Sequence, residues 1–200
     1  MKRVIGRLAV ITGMSVFAVH LTSERAAGQS APSSQAASPT GGSTAMSTGL
    51  IVAPGEGERL IRRQYGFPLI IKVDPANGAS KHMVVGTEEI PAGKSIPVHK
   101  HSHADEFIVL QEGTASVTLG ARRQTANAGA MIFIPENEWV GLENVGQGTM
   151  KILFVFSALG FEEYLRATSV PEGQDVKPFS PDELREIRQK YQAHIAFKDQ

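Results

Sequence analysis

Three histidines stand two residues apart near the middle of the chain, at His99, His101 and His103. Glycine and proline flank this stretch, which disfavours a helix and favours an extended strand. Side chains alternate in a strand, so the three imidazoles should point to one side. A carboxylate, Glu106, follows closely. Imidazoles joined by a carboxylate form the two-histidine, one-carboxylate set that divalent metals accept, and the spacing therefore predicts a metal site.

The composition narrows the identity of that metal. The chain has no cysteine, which excludes disulfides, thiolate-bound zinc, iron–sulfur clusters and a thiol nucleophile. Nitrogen and oxygen ligands favour divalent Fe, Mn or Ni, with Zn as an alternative. Lys plus Arg and Asp plus Glu both total 20, so no basic field is available to attract nucleic acid. We therefore expect a small-molecule substrate and no nucleic-acid partner.

The segments that must position these residues are predicted to be strands. Between residues 50 and 157 the apolar runs are short, rich in Val, Ile and Phe, and separated by Gly, Pro or Asn. No crossover helix separates them, which excludes a parallel sheet and predicts an all-β, antiparallel sandwich or barrel. The predicted strands are Leu69–Val73, Met83–Ile90, Phe107–Gln111, Thr114–Leu119, Met131–Ile134, Val140–Asn144 and Met150–Phe156.

The C-terminal part has a helical period instead. A short helix is predicted over Gly160–Ala167, and Ser180 with Glu183 forms a capping box that begins a helix at Pro181. We predict that this second helix continues to about Ala193. One apolar stripe, suited to packing on the barrel or on a dimer partner, consists of Leu184, Ile187, Tyr191 and Ile195.

The N-terminal residues predict export. A basic start, the uncharged run Leu8–Val19 and the small residues before Gln29 are typical of a signal peptide at residues 1–28. The run is shorter than the ~20 residues that a membrane-spanning helix needs, so we expect no stable span; a retained signal anchor is the alternative. Residues 29–56 are rich in Ser, Ala, Gly and Pro and predict a flexible linker. The expected location is periplasmic or secreted.

The histidine spacing also resembles a known family. The pattern Gly93-x5-His99-x-His101-x4-Glu106-x6-Gly113 is similar to the first signature of the cupin superfamily. The resemblance implies a jelly-roll barrel that carries a metal held by His99, His101 and Glu106.

The same resemblance implies a single-domain protein, or monocupin. We expect the barrel at residues 57–158 and a helical tail at residues 159–200. The tail, with its Gly160–Leu165 segment and later helix, is similar to that of bacterial quercetin-dioxygenase-like cupins.

The second cupin signature is degenerate in this chain. Gly129, Pro135 and Asn144 fit it, but Asn137 stands where a glycine is usual. Val140 stands where the family has a fourth metal ligand, a histidine. The expected site therefore has either three protein ligands plus water or a substitute ligand, for which His103 and His82 are the candidates.

The function that these features predict is that of an exported, metal-dependent enzyme acting on a small organic substrate. The resemblance favours dioxygenase-like oxidoreductase or lyase chemistry. Glu106, as ligand or base, and His103, as a rim residue that shapes or deprotonates substrate, are the candidate catalytic residues. The alternatives are a non-catalytic small-molecule-binding or sensor cupin and a purely structural barrel. A homodimer is also expected.

Two further groups of residues carry weaker signals. Aromatic residues on predicted strands suit either the barrel core, which we favour, or an apolar substrate pocket; they are Phe133, Trp139, Phe154 and Phe156. The basic pairs Arg62-Arg63 and Arg122-Arg123 are expected to be solvated, although the first pair could reach an acidic substrate.

Overall fold

The structure is a computed structural model that describes residues 49–77 and 80–198. Twelve strands and two helices follow one another in these residues. In chain order they are β1 (Glu58–Arg62), β2 (Pro68–Val73), β3 (Val84–Ile90), β4 (Ser95–His101), β5 (Glu106–Glu112), β6 (Thr114–Leu119), β7 (Arg122–Asn127), β8 (Met131–Ile134), β9 (Val140–Asn144), β10 (Met150–Phe156), α1 (Phe161–Ala167), β11 (Ser169–Pro171), α2 (Pro181–Lys190) and β12 (Ile195–Phe197).

The strands form two antiparallel sheets. The seven-stranded sheet has the order β11-β1-β2-β3-β10-β5-β8, and the five-stranded sheet has the order β12-β4-β9-β6-β7. Strands that are distant along the chain pair directly, as β3 and β10 do. This arrangement confirms the predicted all-β, antiparallel jelly roll with C-terminal helices.

Alternation along the strands places the core between the sheets. In β10 every second residue is buried, and these residues are Met150, Ile152, Phe154 and Phe156. Gly86 on β3 lies opposite Phe154, and a Cβ atom there would come within 2.3 Å of the Phe154 ring. The glycine therefore makes room for a ring that faces the barrel interior.

All seven predicted strands are confirmed to within a residue at each end. The sequence pattern missed β1, β7, β11 and β12, and it indicated β4 only through its histidines. Most of β7 is polar and exposed, so no apolar alternation marks it. Strands β11 and β12 have three residues each, which is too short for a periodic signal.

The tail contributes strands as well as helices. Helix α1 is confirmed, and α2 begins at Pro181 with the predicted capping box of Ser180 and Glu183. The prediction that the helical stripe includes Ile195 was wrong, because α2 ends at Lys190. Ile195 lies instead in β12, opposite His101 of β4, where its backbone extends the five-stranded sheet. The tail is therefore part of the barrel wall.

The predicted signal peptide at residues 1–28 lies outside the described residues, as does most of the predicted linker. Its described end contacts the barrel, since the Lys72 ammonium donates to the carbonyls of Ala53, Pro54 and Glu56 at 3.0, 2.7 and 3.0 Å. Neither α1 nor α2, the helices of the described residues, has the length and apolar character needed to cross a bilayer.

Candidate metal centre

His99, His101 and Glu106 converge inside the barrel. Both histidines lie on β4 and Glu106 begins β5, and the three side chains are buried. One ligand atom from each residue lies within 4.8 Å of those of the other two. The period of two in β4 directs both imidazoles inward, and the short 102–105 connection returns the carboxylate to the same place.

A backbone hydrogen bond fixes the orientation of His99. Its Nδ1 lies 2.8 Å from the carbonyl oxygen of Pro97. A carbonyl oxygen only accepts, so Nδ1 carries the proton and the lone pair is at Nε2. A hydrogen bond of this kind orients the histidine ligands of many metal sites.

Three polar atoms at the centre, His101 Nδ1, His101 Nε2 and Glu106 Oε2, have no hydrogen-bond partner among the described residues. His101 Nε2 and Glu106 Oε2 lie 3.5 Å apart, and neither makes a hydrogen bond within the described part of the chain. Instead, the rings of Phe156 and Phe161 lie 4.7 and 4.5 Å from the His101 ring, centroid to centroid. Buried polar atoms normally have partners. This donor set therefore fits a divalent cation held by nitrogen and oxygen.

Burial also sets the protonation of the centre. It lowers the pKa of His99 to about 4, and it lowers the pKa of His101 well below its usual value, helped by the neighbouring His99. Both imidazoles are thus neutral at neutral pH, which is the form that binds metals. Burial, together with the charge of Glu88, raises the pKa of Glu106 to about 8. The carboxyl therefore holds a proton that a cation must displace.

The cluster faces a small cavity of about 30 Å³, roughly the space of one or two water molecules. Its wall is mainly apolar and includes Phe154 and Phe156, which belong to the buried core as we favoured for them. Both the core and the pocket predictions were wrong for Phe133 and Trp139. Phe133 points outward and is 49% exposed, and Trp139 lies outside the cavity wall with the Lys100 ammonium 5.2 Å from its ring centroid.

The two candidate substitute ligands lie elsewhere. Strand β4 ends at His101, so the alternation predicted to place His103 on the same face stops before that residue, and His103 is exposed. The amide of Asn137 donates to the His101 carbonyl at 2.7 Å and the chain then leaves the sheet. His82 is exposed in the segment before β3. Neither joins the buried cluster.

Val140 is fully buried and lies opposite His99 in the ladder between β9 and β4. Directly opposed residues place their side chains on the same face of a sheet. At the position where the family resemblance implies a fourth histidine, an aliphatic side chain therefore lies adjacent to the cluster.

The structure adds two charged residues that the sequence argument did not place here. Arg62 on β1 and Glu88 on β3 are buried, line the same cavity, and form an ion pair with Arg62 Nη1 3.2 Å from Glu88 Oε1. The expectation that Arg62 is solvated was wrong. Strand alternation could have placed it, because Arg62 shares a face with the buried Leu60.

Comparison with known proteins agrees with this architecture. Residues 86–156, which span β3 to β10, match the model of the cupin domain. A search of curated proteins gave no match.

Solved structures with a similar fold include three bacterial proteins. A predicted oxalate decarboxylase from Thermotoga maritima is 20% identical, with 55% of this chain and all of that chain covered and a TM-score of 0.49. An RmlC-like cupin from Shewanella frigidimarina is 15% identical, with 59% and 99% covered and a TM-score of 0.48. KdgF from Halomonas sp. is 13% identical, with 52% and 91% covered and a TM-score of 0.46. Residues 86–156 are therefore similar in sequence to the cupin domain, and the antiparallel jelly roll agrees with that match.

Proposed function

We propose that this cupin binds a divalent metal ion through His99, His101 and Glu106 and acts as an enzyme on a small organic substrate. The chemistry we favour is dioxygenase-like oxidoreductase or lyase chemistry. The observation that carries the proposal is the pair of buried, unpartnered atoms, His101 Nε2 and Glu106 Oε2, beside the third ligand atom within 4.8 Å.

The protein residues have distinct tasks in this proposal. When bound, a divalent Fe, Mn, Ni or Zn ion supplies Lewis-acid polarisation of a substrate oxygen. His99 and His101 hold it as neutral ligands, and Glu106 contributes a carboxylate. The apolar wall, which includes Phe154 and Phe156, limits the water that competes with substrate.

We propose a separate task for His103. Its imidazole is exposed just beyond the end of β4, outside the ligand cluster. Imidazole is the side chain most often used for proton transfer at neutral pH. We therefore assign His103 to shaping the substrate or accepting its proton, and not to holding the metal.

Metal analysis of the purified protein tests the site. We expect about one divalent first-row ion per chain in the wild type, and loss of that ion in His99→Ala/His101→Ala. His82→Ala is the matched control because this exposed imidazole is outside the cluster, and it should keep the ion. Equal metal content in the wild type and the double variant would refute the site.

A non-catalytic ligand-binding or sensor cupin is the second candidate. It is favoured by Val140, which leaves three protein ligands where many cupins have four. Water relaxation in the Mn²⁺-loaded protein separates the two, because an enzyme needs a metal position that exchanges water with solvent. Absence of an exchanging water would favour the binding protein.

Export and a homodimer remain predictions from the sequence. Sequencing the N-terminus of protein recovered from the cell envelope or medium checks the first, with a mature end near Gln29 expected. Light scattering checks the second.

A further inference from the structure

Arg62 on β1 and Glu88 on β3 form a charged pair inside the barrel, in the sheet that also carries Glu106 and opposite the sheet that carries His99 and His101. Their side chains are 6% and 5% exposed, and only one guanidinium nitrogen, Nη1, reaches the carboxylate, at 3.2 Å. The Nε of Arg62 is buried without a hydrogen-bond partner in the described part of the chain. The guanidinium therefore leaves its Nε–H available as a hydrogen-bond donor inside the cavity.

Stability does not account for this pair. Removing two charges from water is costly, and a buried ion pair is often no more stabilising than apolar side chains of similar volume. An unpaired buried N–H adds a further cost. The backbone nevertheless holds Arg62 firmly, since its amide donates to the Phe67 carbonyl at 3.0 Å and its own carbonyl accepts from Gly66 at 2.7 Å. The side chain is thus positioned in the cavity by the β1–β2 turn.

The net charge of the cavity favours binding of an anion. This step rests on the proposed function, in which a divalent metal ion is bound at the cluster. Arg62 and Glu88 cancel each other, and the carboxylate of Glu106 cancels one charge of a divalent ion. One positive charge then remains in a cavity whose other lining side chains are neutral. A buried net charge requires a counter-charge, which a monoanionic ligand would supply.

The donor geometry and the cavity size narrow the ligand class. A guanidinium presents its N–H groups in a planar fork that matches a carboxylate. The free space of about 30 Å³ excludes a bulky ligand unless the wall moves. We propose that Arg62 is a specificity-determining residue that binds the carboxylate of a short-chain monocarboxylic acid, whose other end lies toward His99 and Glu106.

Acetate, with acetamide as its uncharged isostere, is the probe. Its affinity for the metal-loaded full chain is measured by calorimetry, and metal content is determined separately for every variant. Arg62→Gln should weaken acetate binding by about tenfold to a hundredfold, the usual effect of losing a charged hydrogen bond. Acetamide should bind the wild type much more weakly than acetate.

A substitution at Glu88 should change the acetate affinity in the opposite direction to Arg62→Gln. The two variants together therefore distinguish ligand recognition from a purely structural role of the pair. Glu88→Gln removes the competing negative charge while keeping an acceptor for Arg62, and it should tighten acetate binding by about tenfold. If the pair were purely structural, both single variants would weaken binding or unfold the protein alike. That outcome would overturn the inference.

Two further variants keep the test decisive. Arg62→Gln leaves Glu88 buried without its cation, so Arg62→Gln/Glu88→Gln, which restores a neutral pair, guards against misfolding. It should bind acetate about tenfold to a hundredfold more weakly than Glu88→Gln, the variant that shares its Glu88 substitution. Arg59→Gln removes an exposed arginine of the same strand, paired with Glu172, and should change nothing. A folded double variant with full metal content and the acetate affinity of Glu88→Gln would refute the role of Arg62. A wild type that binds no metal would instead refute the proposed function.

Discussion

Val140 on β9 lies directly opposite His99 on β4, and both side chains are buried on the inner face of the five-stranded sheet. Opposed residues in an antiparallel pair have Cβ atoms about 4.5–5.5 Å apart. An aliphatic group therefore occupies the space beside a metal-ligand candidate. In the proposed metal centre, this side chain leaves His99, His101 and Glu106 as the three protein ligands.

We predict that Val140→His strengthens metal binding. The new imidazole would stand beside His99, where a fourth nitrogen ligand can form. Partners that only orient ligands are worth about tenfold to a hundredfold in metal affinity, so a direct ligand should slow metal loss to a chelator by at least about tenfold. Val140→Thr, which is similar in shape but has no ring nitrogen, is the control. Unchanged retention in a folded Val140→His variant would mean that the side chain does not reach the ion.

The metal-free protein should lose stability as the pH rises from about 6.5 to 8. The pKa of Glu106 is raised to about 8 in the folded protein, so the folded state binds more protons than the unfolded chain up to that pH. The stabilisation that this proton contributes is complete below the usual carboxyl pKa and is lost as the pH rises through 8. Between pH 6.5 and 8, the free energy of unfolding should fall by about 1–2 kcal/mol.

The histidines act in the opposite direction and at lower pH. Burial lowers the pKa of His99 to about 4, so unfolding takes up protons below about pH 6.5 and stability falls on acidification. Urea unfolding of chelator-treated protein should therefore show greatest stability near pH 6.5. Glu106→Gln should flatten the alkaline side, and it should steepen the acidic side between about pH 4.5 and 6.5, where the Glu106 proton offsets the effect of the histidines. If stability falls equally steeply above pH 6.5 in Glu106→Gln, a group other than Glu106 causes that fall.

Sequence reasoning succeeded where a pattern repeats and failed where a single contact decides. The period of two predicted that His99 and His101 share a face, and the structure places both inward beside Glu106. It did not predict where β4 ends, because the Asn137 amide that meets the His101 carbonyl lies in a loop distant in sequence. For that reason the exposed position of His103 could not be predicted.

Arg62 and Ile195 show two further limits. Arg62 was expected in water because charged side chains usually are. Its spacing from the buried Leu60 was a local signal for burial, and its partner Glu88, 26 residues away, compensates its charge there. Ile195 continues a helical spacing, but pairing of its backbone with β4 takes it into a strand. In both cases the contact that decides the outcome comes from a segment distant in sequence.

Asn144 should be important for stability and not for metal binding. Its buried amide nitrogen donates to the carbonyls of Ile90 and Gly148, both at 2.8 Å, and its Oδ1 accepts from the Gly146 amide at 3.0 Å. Asn144→Ala leaves these groups unpaired and should lower the free energy of unfolding by about 2–4 kcal/mol.

Urea unfolding checks this prediction, with metal content as the second measurement. The control is Asn127→Ala, because Asn127 is exposed and its side-chain Oδ1 accepts a hydrogen bond from the Thr114 hydroxyl at 3.2 Å. A surface change of this kind usually alters stability by less than about 0.5 kcal/mol. Loss of metal from folded Asn144→Ala would contradict the separation of the two roles.

Phe161 should both stabilise the barrel and shield the metal centre. The residue is the first of α1 and is 8% exposed, and its ring packs edge-on against His101 and Phe156 at centroid distances of 4.5 and 4.8 Å. Phe161→Ala removes the ring that covers His101 on this side. Truncation of a buried phenylalanine costs about 3–5 kcal/mol. We therefore expect a loss of this order in urea unfolding, together with faster removal of the metal by a chelator under conditions where the variant stays folded.

Phe133→Ala is the matched control, because that ring is 49% exposed on the outer face and should affect neither quantity strongly. Metal release at the wild-type rate from folded Phe161→Ala would show that solvent reaches His101 by another route, and the stability loss alone would then describe the role of Phe161.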